Sequence, residues 1–106
     1  MDDAAVIVHG VESPQSAAAL YSTVHGAGRV MSRRQAKKTV DFRSVQDRLR
    51  ARGTVLRGAG ADEAPPVYRP LRSVLDAHAS TIEVVHTLQP RVVVMAGGDE
   101  RDPYRD

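Results

Sequence analysis

Apolar positions first cluster at residues 4–8, AAVIV, a run that predicts a short buried strand closed by the turn HGVESP. The small-residue stretch QSAAAL that follows is compatible with a single helical turn. A glycine-containing loop comes next. Then SRRQ at residues 32–35 forms a capping box, with Ser32 as N-cap and Gln35 reaching back to the Ser32 amide, so a helix is expected to start near Arg33. Phe42, Val45, Leu49 and Arg52 recur at helical spacing and Gly53 suits a C-terminal cap, which predicts a second helix over residues 41–52. TVLR reads as a short strand and GAGADEAPP as a flexible loop with an acidic rim at Asp62 and Glu63. In YRPLRSVLDAHAS, Pro70 falls at a first helical position and Leu71, Val74, Leu75 and His78 share one face. TIEVVHTL and RVVVMAG are two further strands, expected to pair as a hairpin across Gln89-Pro90. A polar tail, residues 98–106, ends the chain, and no internal repeat or low-complexity segment is present. The pattern predicts an α+β fold with mixed short strands and about three helices.

Composition limits what these elements can build. A chain of 106 residues, 42% hydrophobic and 26% charged, supports one core at most. With three Tyr, one Phe and no Trp, that core must rest on aliphatic residues and alanine. Without cysteine there is neither a disulfide framework nor a thiolate metal site, which fits a reducing compartment such as the cytoplasm. The longest apolar runs are five residues, against the roughly 20 that span a bilayer, so a soluble protein without a membrane partner is expected.

The formal charge of +2 permits a polyanionic partner without arguing for one. Its distribution is more informative, because ten cations lie between residues 29 and 57 against only Asp41 and Asp47. This basic block adjoins YSTVHGAGRVMSRRQAKK, where glycines lead into a helix start. Free amide N–H groups and the helix dipole favour an anion there, and Arg29 and Arg33 lie within a turn of it. An imidazole at such a place, His25, can serve as acid or base, as metal ligand, or as a nucleophile that takes a phosphoryl or nucleotidyl group. The plainer alternative is a histidine that hydrogen-bonds a loop whose glycines only make a turn. Tyr68, beside a proline turn, likewise reads on its own as a half-buried tyrosine. His9, His78 and His86 show no ligand spacing, so no metal residue is assigned. Neither Gly-Lys-Ser/Thr nor Lys-x-Asp-Gly occurs, which disfavours a P-loop nucleotidase and a lysine-type nucleotidyl transferase.

YSTVHGAGRVMSRRQA resembles the histidine loop of the RtcB family of RNA ligases, in which His-Gly-Ala-Gly-Arg-x-Met-Ser-Arg surrounds a guanylylated histidine. ADEAPPVYRPLRSVL resembles the family's Asp-Glu-x-Pro-x-x-Tyr-Lys segment, and EVVHTLQPRVVVMAG its C-terminal strands, in the same order. The resemblance covers essentially the whole chain and makes residues 1–106 a single partial domain, the C-terminal portion of an RtcB-like fold. It implies ligation of an RNA 3′-phosphate or 2′,3′-cyclic phosphate to a 5′-hydroxyl, with GTP and manganese, through a histidine–GMP intermediate.

Carried over to this chain, the resemblance makes His25 the nucleophile and puts Gly26, Ala27 and Gly28 against the guanylate. Arg29 and Arg33 become phosphate contacts, and Tyr68 packs near the guanine. The family commonly ends in a Lys-Gly that contacts guanine; here Ala96 stands where that lysine would be, and Arg105 is the candidate substitute, a planar fork in place of a point charge. The family's manganese ligands lie almost entirely upstream of the matched region, so Mn2+ is implied without ligands in this chain. Met1 aligns close to a methionine inside the family's phosphate-binding loop, as it would if the reading frame began within a once longer gene. Three outcomes are open under the resemblance: a ligase segment completed by an N-terminal RtcB portion, in the same chain or a separate one; a non-catalytic remnant that binds RNA or nucleotide phosphate through its basic glycine loop; or a plain structural remnant with no ligand. If such a portion normally covers the strands around residues 6–8 and 92–94, apolar surface is left exposed on this chain.

Overall fold

The computed structural model describes residues 1–97, 99 and 103, and over these the chain is an α+β mixture. Its elements are β1 (Ala5–Gly10), α1 (Pro14–Ala18), α2 (Arg33–Thr39), α3 (Phe42–Ala51), β2 (Val55–Ala59), α4 (Leu71–Ala77), β3 (Ile82–Leu88) and β4 (Val92–Gly97). Two 3₁₀ turns, Ala61–Glu63 and Pro65–Val67, occupy the segment expected to be a flexible loop. No helix is long and apolar enough to cross a membrane, among the described residues.

Local chemistry accounts for the helix boundaries. Ser32 Oγ accepts the Gln35 N–H at 3.1 Å, which caps α2 where the sequence places it. Asp41 does the same for α3 through the Arg43 N–H at 3.1 Å, and Gly53, at φ +74°, follows its C-terminal end. Pro70 lies one position earlier than expected, as the residue before α4. The Leu71 N–H is taken by Asp3 Oδ2 at 2.8 Å, so this helix receives its cap from the far end of the chain.

The strands pair differently from the sequence expectation. β3 and β4 do not form a hairpin: β1 pairs with β3 antiparallel, and β2 pairs with β4 parallel. The connection at Gln89-Pro90 explains why. A tight hairpin turn needs positive φ at its first central position, and a residue preceding proline is held in the extended region instead. The connection is tied to β2: Thr54 Oγ1 donates to Pro90 O at 3.1 Å and the Val55 N–H to Arg91 O at 2.8 Å. β4 therefore continues alongside β2.

Ala36, Val45, Leu49, Ala64 and Val67 form the buried core, with Met31, Val40, Phe42, Leu56 and Tyr68 packed against it. Ala36 and Ala64 are fully buried, so α2 approaches the acidic 3₁₀ turn closely without a large side chain between them. The sheets are much less covered. Ile7 and Val85 are each 50% exposed, and Val92 and Val94 are 62% and 74% exposed, which meets the expectation of apolar surface on these strands. A parallel pair is ordinarily covered on both faces. The radius of gyration, 15.9 Å, exceeds the roughly 13 Å of a compact domain of this length.

Gly58 lies in β2 at φ +73°, and a Cβ there would stand 1.9 Å from the carbonyl oxygen of Met95 in β4. Gly58→Ala is expected to cost roughly 1–3 kcal/mol from the backbone conformation alone, with the clash added and the β2–β4 pair loosened. Urea unfolding of the two proteins, with amide exchange along residues 92–97, measures both effects.

Candidate functional site

The glycine loop before α2 is fastened to the segment 67–69. The Val30 N–H donates to Val67 O at 2.8 Å, the Arg69 N–H to Gly28 O at 3.0 Å, and Arg29 and Tyr68 form an antiparallel bridge. Gly28, at φ +81°, takes a left-handed conformation that side chains resist. Residues 28–30 thereby run beside residues 67–69 although about forty positions separate them in sequence.

Side chains tighten the same contact. Asp62, 1% exposed, and Glu63, 7% exposed, are buried, so the acidic pair is an internal anchor and not the rim expected from composition. Arg33 Nη1 contacts Glu63 Oε1 and lies 3.3 Å from Asp62 Oδ2. Arg29 Nη2 donates to Asp62 O at 2.7 Å, Arg29 Nη1 to the Tyr68 hydroxyl at 3.2 Å, and Arg29 Nε to Met31 O at 3.3 Å. Its guanidinium carbon stands 5.3 Å from the centre of the Tyr68 ring, within cation–π range. The Tyr68 hydroxyl in turn donates to Glu63 Oε2.

Two titrations register this burial. The hydrogen bond to Glu63 raises the pKa of Arg33 above its ordinary value against the opposing effect of desolvation, with the charges of Glu63 and Asp62 adding to the rise. Burial, then the hydrogen bond and charge of Glu63, raise the Tyr68 phenol above 10.0 against Arg29 and Arg33, so Tyr68 stays a neutral donor.

A cleft of about 1010 Å³ opens beside this network. His25, Gly26 and Ala27 line it together with Glu63, Tyr68 and Arg69, and Met1, Asp2, Arg48 and Arg52 also face it. His25 and Gly26 are exposed and Ala27 is partly so. The structure thus brings His25, Gly26, Ala27 and Tyr68 onto one cavity. Gly28, Arg29 and Arg33 secure the loop from the side of the acidic pair. Arg105 lies outside the described residues. Asp62 and Glu63 are the anchoring residues that the sequence places at a loop rim; the available cue was the charge complementarity of two adjacent carboxylates with Arg29 and Arg33 of the basic block. Among the described residues, no group of three or more His, Cys, Asp or Glu side chains could hold a metal ion. Chemically, the arrangement offers an open imidazole, backbone N–H groups and a flat aromatic on one cavity.

Comparison with known proteins adds an identity to this geometry. The family described as RtcB, tRNA-splicing ligase RtcB, matches residues 1–96. RNA-splicing ligase RtcB of Escherichia coli (strain K12) is 40% identical over 91 residues, covering 83% of this chain and 21% of that protein. tRNA-splicing ligase RtcB of Methanococcus maripaludis is 34% identical over 100 residues, covering 89% of this chain and 21% of that protein. RNA-splicing ligase RtcB of Mycobacterium tuberculosis is 38% identical over 63 residues, covering 56% of this chain and 15% of that protein. The chain spans about a fifth of the length of the first two relatives.

Arg33→Ala would leave Asp62 and Glu63 buried without their main cation, at an expected cost of roughly 3–5 kcal/mol, read as the shift in urea unfolding. Because the folded pKa of Tyr68 is raised, the fold favours the neutral phenol. That contribution is complete below the ordinary tyrosine value of about 10 and is lost as pH rises through the higher folded value. Stability is therefore expected to fall more steeply with pH in this alkaline range for the wild type than for Tyr68→Phe, as paired melts across the range measure.

Proposed function

The chain belongs to the RtcB family, and we propose that it supplies an RNA ligase with its nucleotide-accepting histidine, His25. The observation that carries this reading is the meeting of two segments distant in sequence: His25, Gly26 and Ala27 share a cleft with Tyr68, and the Arg29–Tyr68 bridge fastens one segment to the other. A nucleotide fits the chemistry of that cavity. The N–H groups of Gly26 and Ala27 suit the phosphates there, with Gly28 the proposed next contact along the loop, and Tyr68, its hydroxyl held by Glu63 and Arg29, is the aromatic proposed to pack near the guanine. Arg29 and Arg33, the proposed phosphate contacts, also carry the loop through Asp62, Glu63 and Tyr68. Arg105 is the proposed guanine contact in place of the family's lysine.

In this reading an imidazole nitrogen of His25 attacks the α-phosphorus of GTP. A P–N bond forms, pyrophosphate leaves with the electron pair of the broken P–O bond, and the imidazole proton passes to solvent. The RNA 3′-phosphate then takes the GMP from nitrogen, and a 5′-hydroxyl displaces GMP to close the phosphodiester. A 2′,3′-cyclic phosphate enters the same sequence once water has opened it to the 3′-phosphate. The exposed position of His25 suits a group that must meet two successive partners.

Manganese does not fit the described residues, which hold no ligand cluster, and nothing in these steps draws on a metal from this chain. Its ligands belong, in this reading, to an N-terminal RtcB portion, in the same chain or a separate one. The exposed valines of β4 and the small share of the relatives' length support such a portion. The proposed setting is the cytoplasm, a reducing compartment that suits a chain without cysteine.

The test is incubation with radiolabelled GTP and manganese, with and without a separately expressed N-terminal portion of an RtcB ligase, followed by a denaturing gel. Label is expected on this chain only when that portion is present, and none on His25→Ala. Label on the chain alone would mean that it holds a complete metal site. No label in either mixture would favour a non-catalytic remnant.

A further inference from the structure

We infer that Arg48 and Arg52, held by the buried carboxylate of Asp2, form a phosphate-receiving pair for an RNA strand on the wall of the His25 cleft. The two arginines stand four positions apart at the C-terminal end of α3, so they project from the same side of the helix. Both line the cleft that His25, Gly26 and Tyr68 line. Arg48 Nε lies 2.7 Å from Asp2 Oδ2, and Arg52 Nη1 lies 3.0 Å from that same oxygen and 3.4 Å from Asp2 O. One carboxylate oxygen thus aligns two guanidinium groups.

The imbalance within this trio points to a ligand. The Asp2 side chain is 4% exposed, whereas those of Arg48 and Arg52 are 56% and 52% exposed. Two cations share one anion, leaving the trio one net positive charge, while the other carboxylates that line the cleft are engaged elsewhere, Asp3 with the Leu71 N–H and Glu63 with Arg33. Each guanidinium has five N–H donors in a fixed fork, and the contacts to Asp2 engage Nε of one and a single Nη of the other. The remaining donors belong to half-exposed groups whose entropy of ordering Asp2 has already reduced. Arg29 and Arg33 are placed otherwise, since their guanidiniums meet Tyr68 and the acidic turn.

Size and charge favour a strand over a single nucleotide. The cleft, about 1010 Å³, lies at the upper end of the roughly 300–1,000 Å³ typical of small-molecule sites, which leaves room beside a nucleotide at the glycine loop. Arg69 adds a further cation to its lining. The inference takes the identity of the polyanion from the ligase reading, and the pairing of Arg48 and Arg52 from the geometry alone.

The experiment is fluorescence anisotropy of a labelled single-stranded RNA bearing a 3′-phosphate, titrated with the 106-residue chain across a range of salt concentrations. GTP and manganese are omitted, so the outcome does not depend on guanylylation, and a failure of labelling leaves it standing. Arg48→Gln/Arg52→Gln keeps donors for Asp2 while removing both charges, and circular dichroism confirms that the variant is folded. Its affinity is expected to fall and its slope of log K against log salt to become shallower by about 1.4, the effect of two phosphate contacts on a single strand. Asp2→Asn is expected to tighten binding, whereas a purely structural tie would leave binding unchanged. A folded double variant with the wild-type slope would overturn the proposal. RNA affinity unchanged in the folded double variant would also overturn it, by leaving the pair to the tie with Asp2 alone.

Discussion

The structure depends on two adjacent carboxylates taken out of water. Asp62 and Glu63 are buried in a single 3₁₀ turn, and burial of two anions is tolerable only if cations and hydrogen-bond donors come with them. Arg33 comes from the first turn of α2, Arg29 from the glycine loop, and the Tyr68 hydroxyl from the far side of the acidic turn. Each partner belongs to a different stretch of chain, so satisfying the charge requirement also fixes the relative position of those stretches. The small buried residues Ala36 and Ala64 permit the close approach that this demands.

From that constraint follows the character of the cleft. A glycine loop is conformationally free by itself, yet here residues 28–30 are pinned to residues 67–69 by backbone hydrogen bonds and by Arg29. His25 lies just before the pinned stretch, exposed and facing the cavity, so rigidity and access are divided between neighbouring residues. Two further cations lining the same cleft, Arg48 and Arg52, obey the same logic in reverse, with a buried carboxylate arranging exposed guanidiniums.

The strands are covered sparsely. Two separate pairs, one parallel with exposed valines, bury little apolar surface, and the core rests on a few aliphatic residues between α2, α3 and the 3₁₀ turns. This accords with a chain that spans about a fifth of the length of its relatives in Escherichia coli and Methanococcus maripaludis. Conformational entropy is large for any ordered chain of this length, so such partial burial leaves stability sensitive to single contacts.

Local signals were legible in the sequence because their physics is local. Ser32 and Gly53 marked helix ends, the spacing of Val45 and Leu49 marked the buried face of α3, and the α+β class followed from the mixture of elements. The motif around His25, with the segment containing Tyr68, was sufficient to point to the family. Strand pairing was not legible, because it depends on which distant backbone groups meet, and Gln89-Pro90 separates two strands that look adjacent but turn to different partners. Nor was the inward turn of Asp62 and Glu63, since a carboxylate in a proline-rich stretch looks solvated until two arginines more than twenty-five positions earlier are known to reach it. Sequence alone thus determined which residues could do chemistry, because side-chain identity and short-range spacing are properties of the chain. Only the tertiary structure decided which of them share a cavity and which hold it together, because burial and charge pairing are properties of segments brought together from afar.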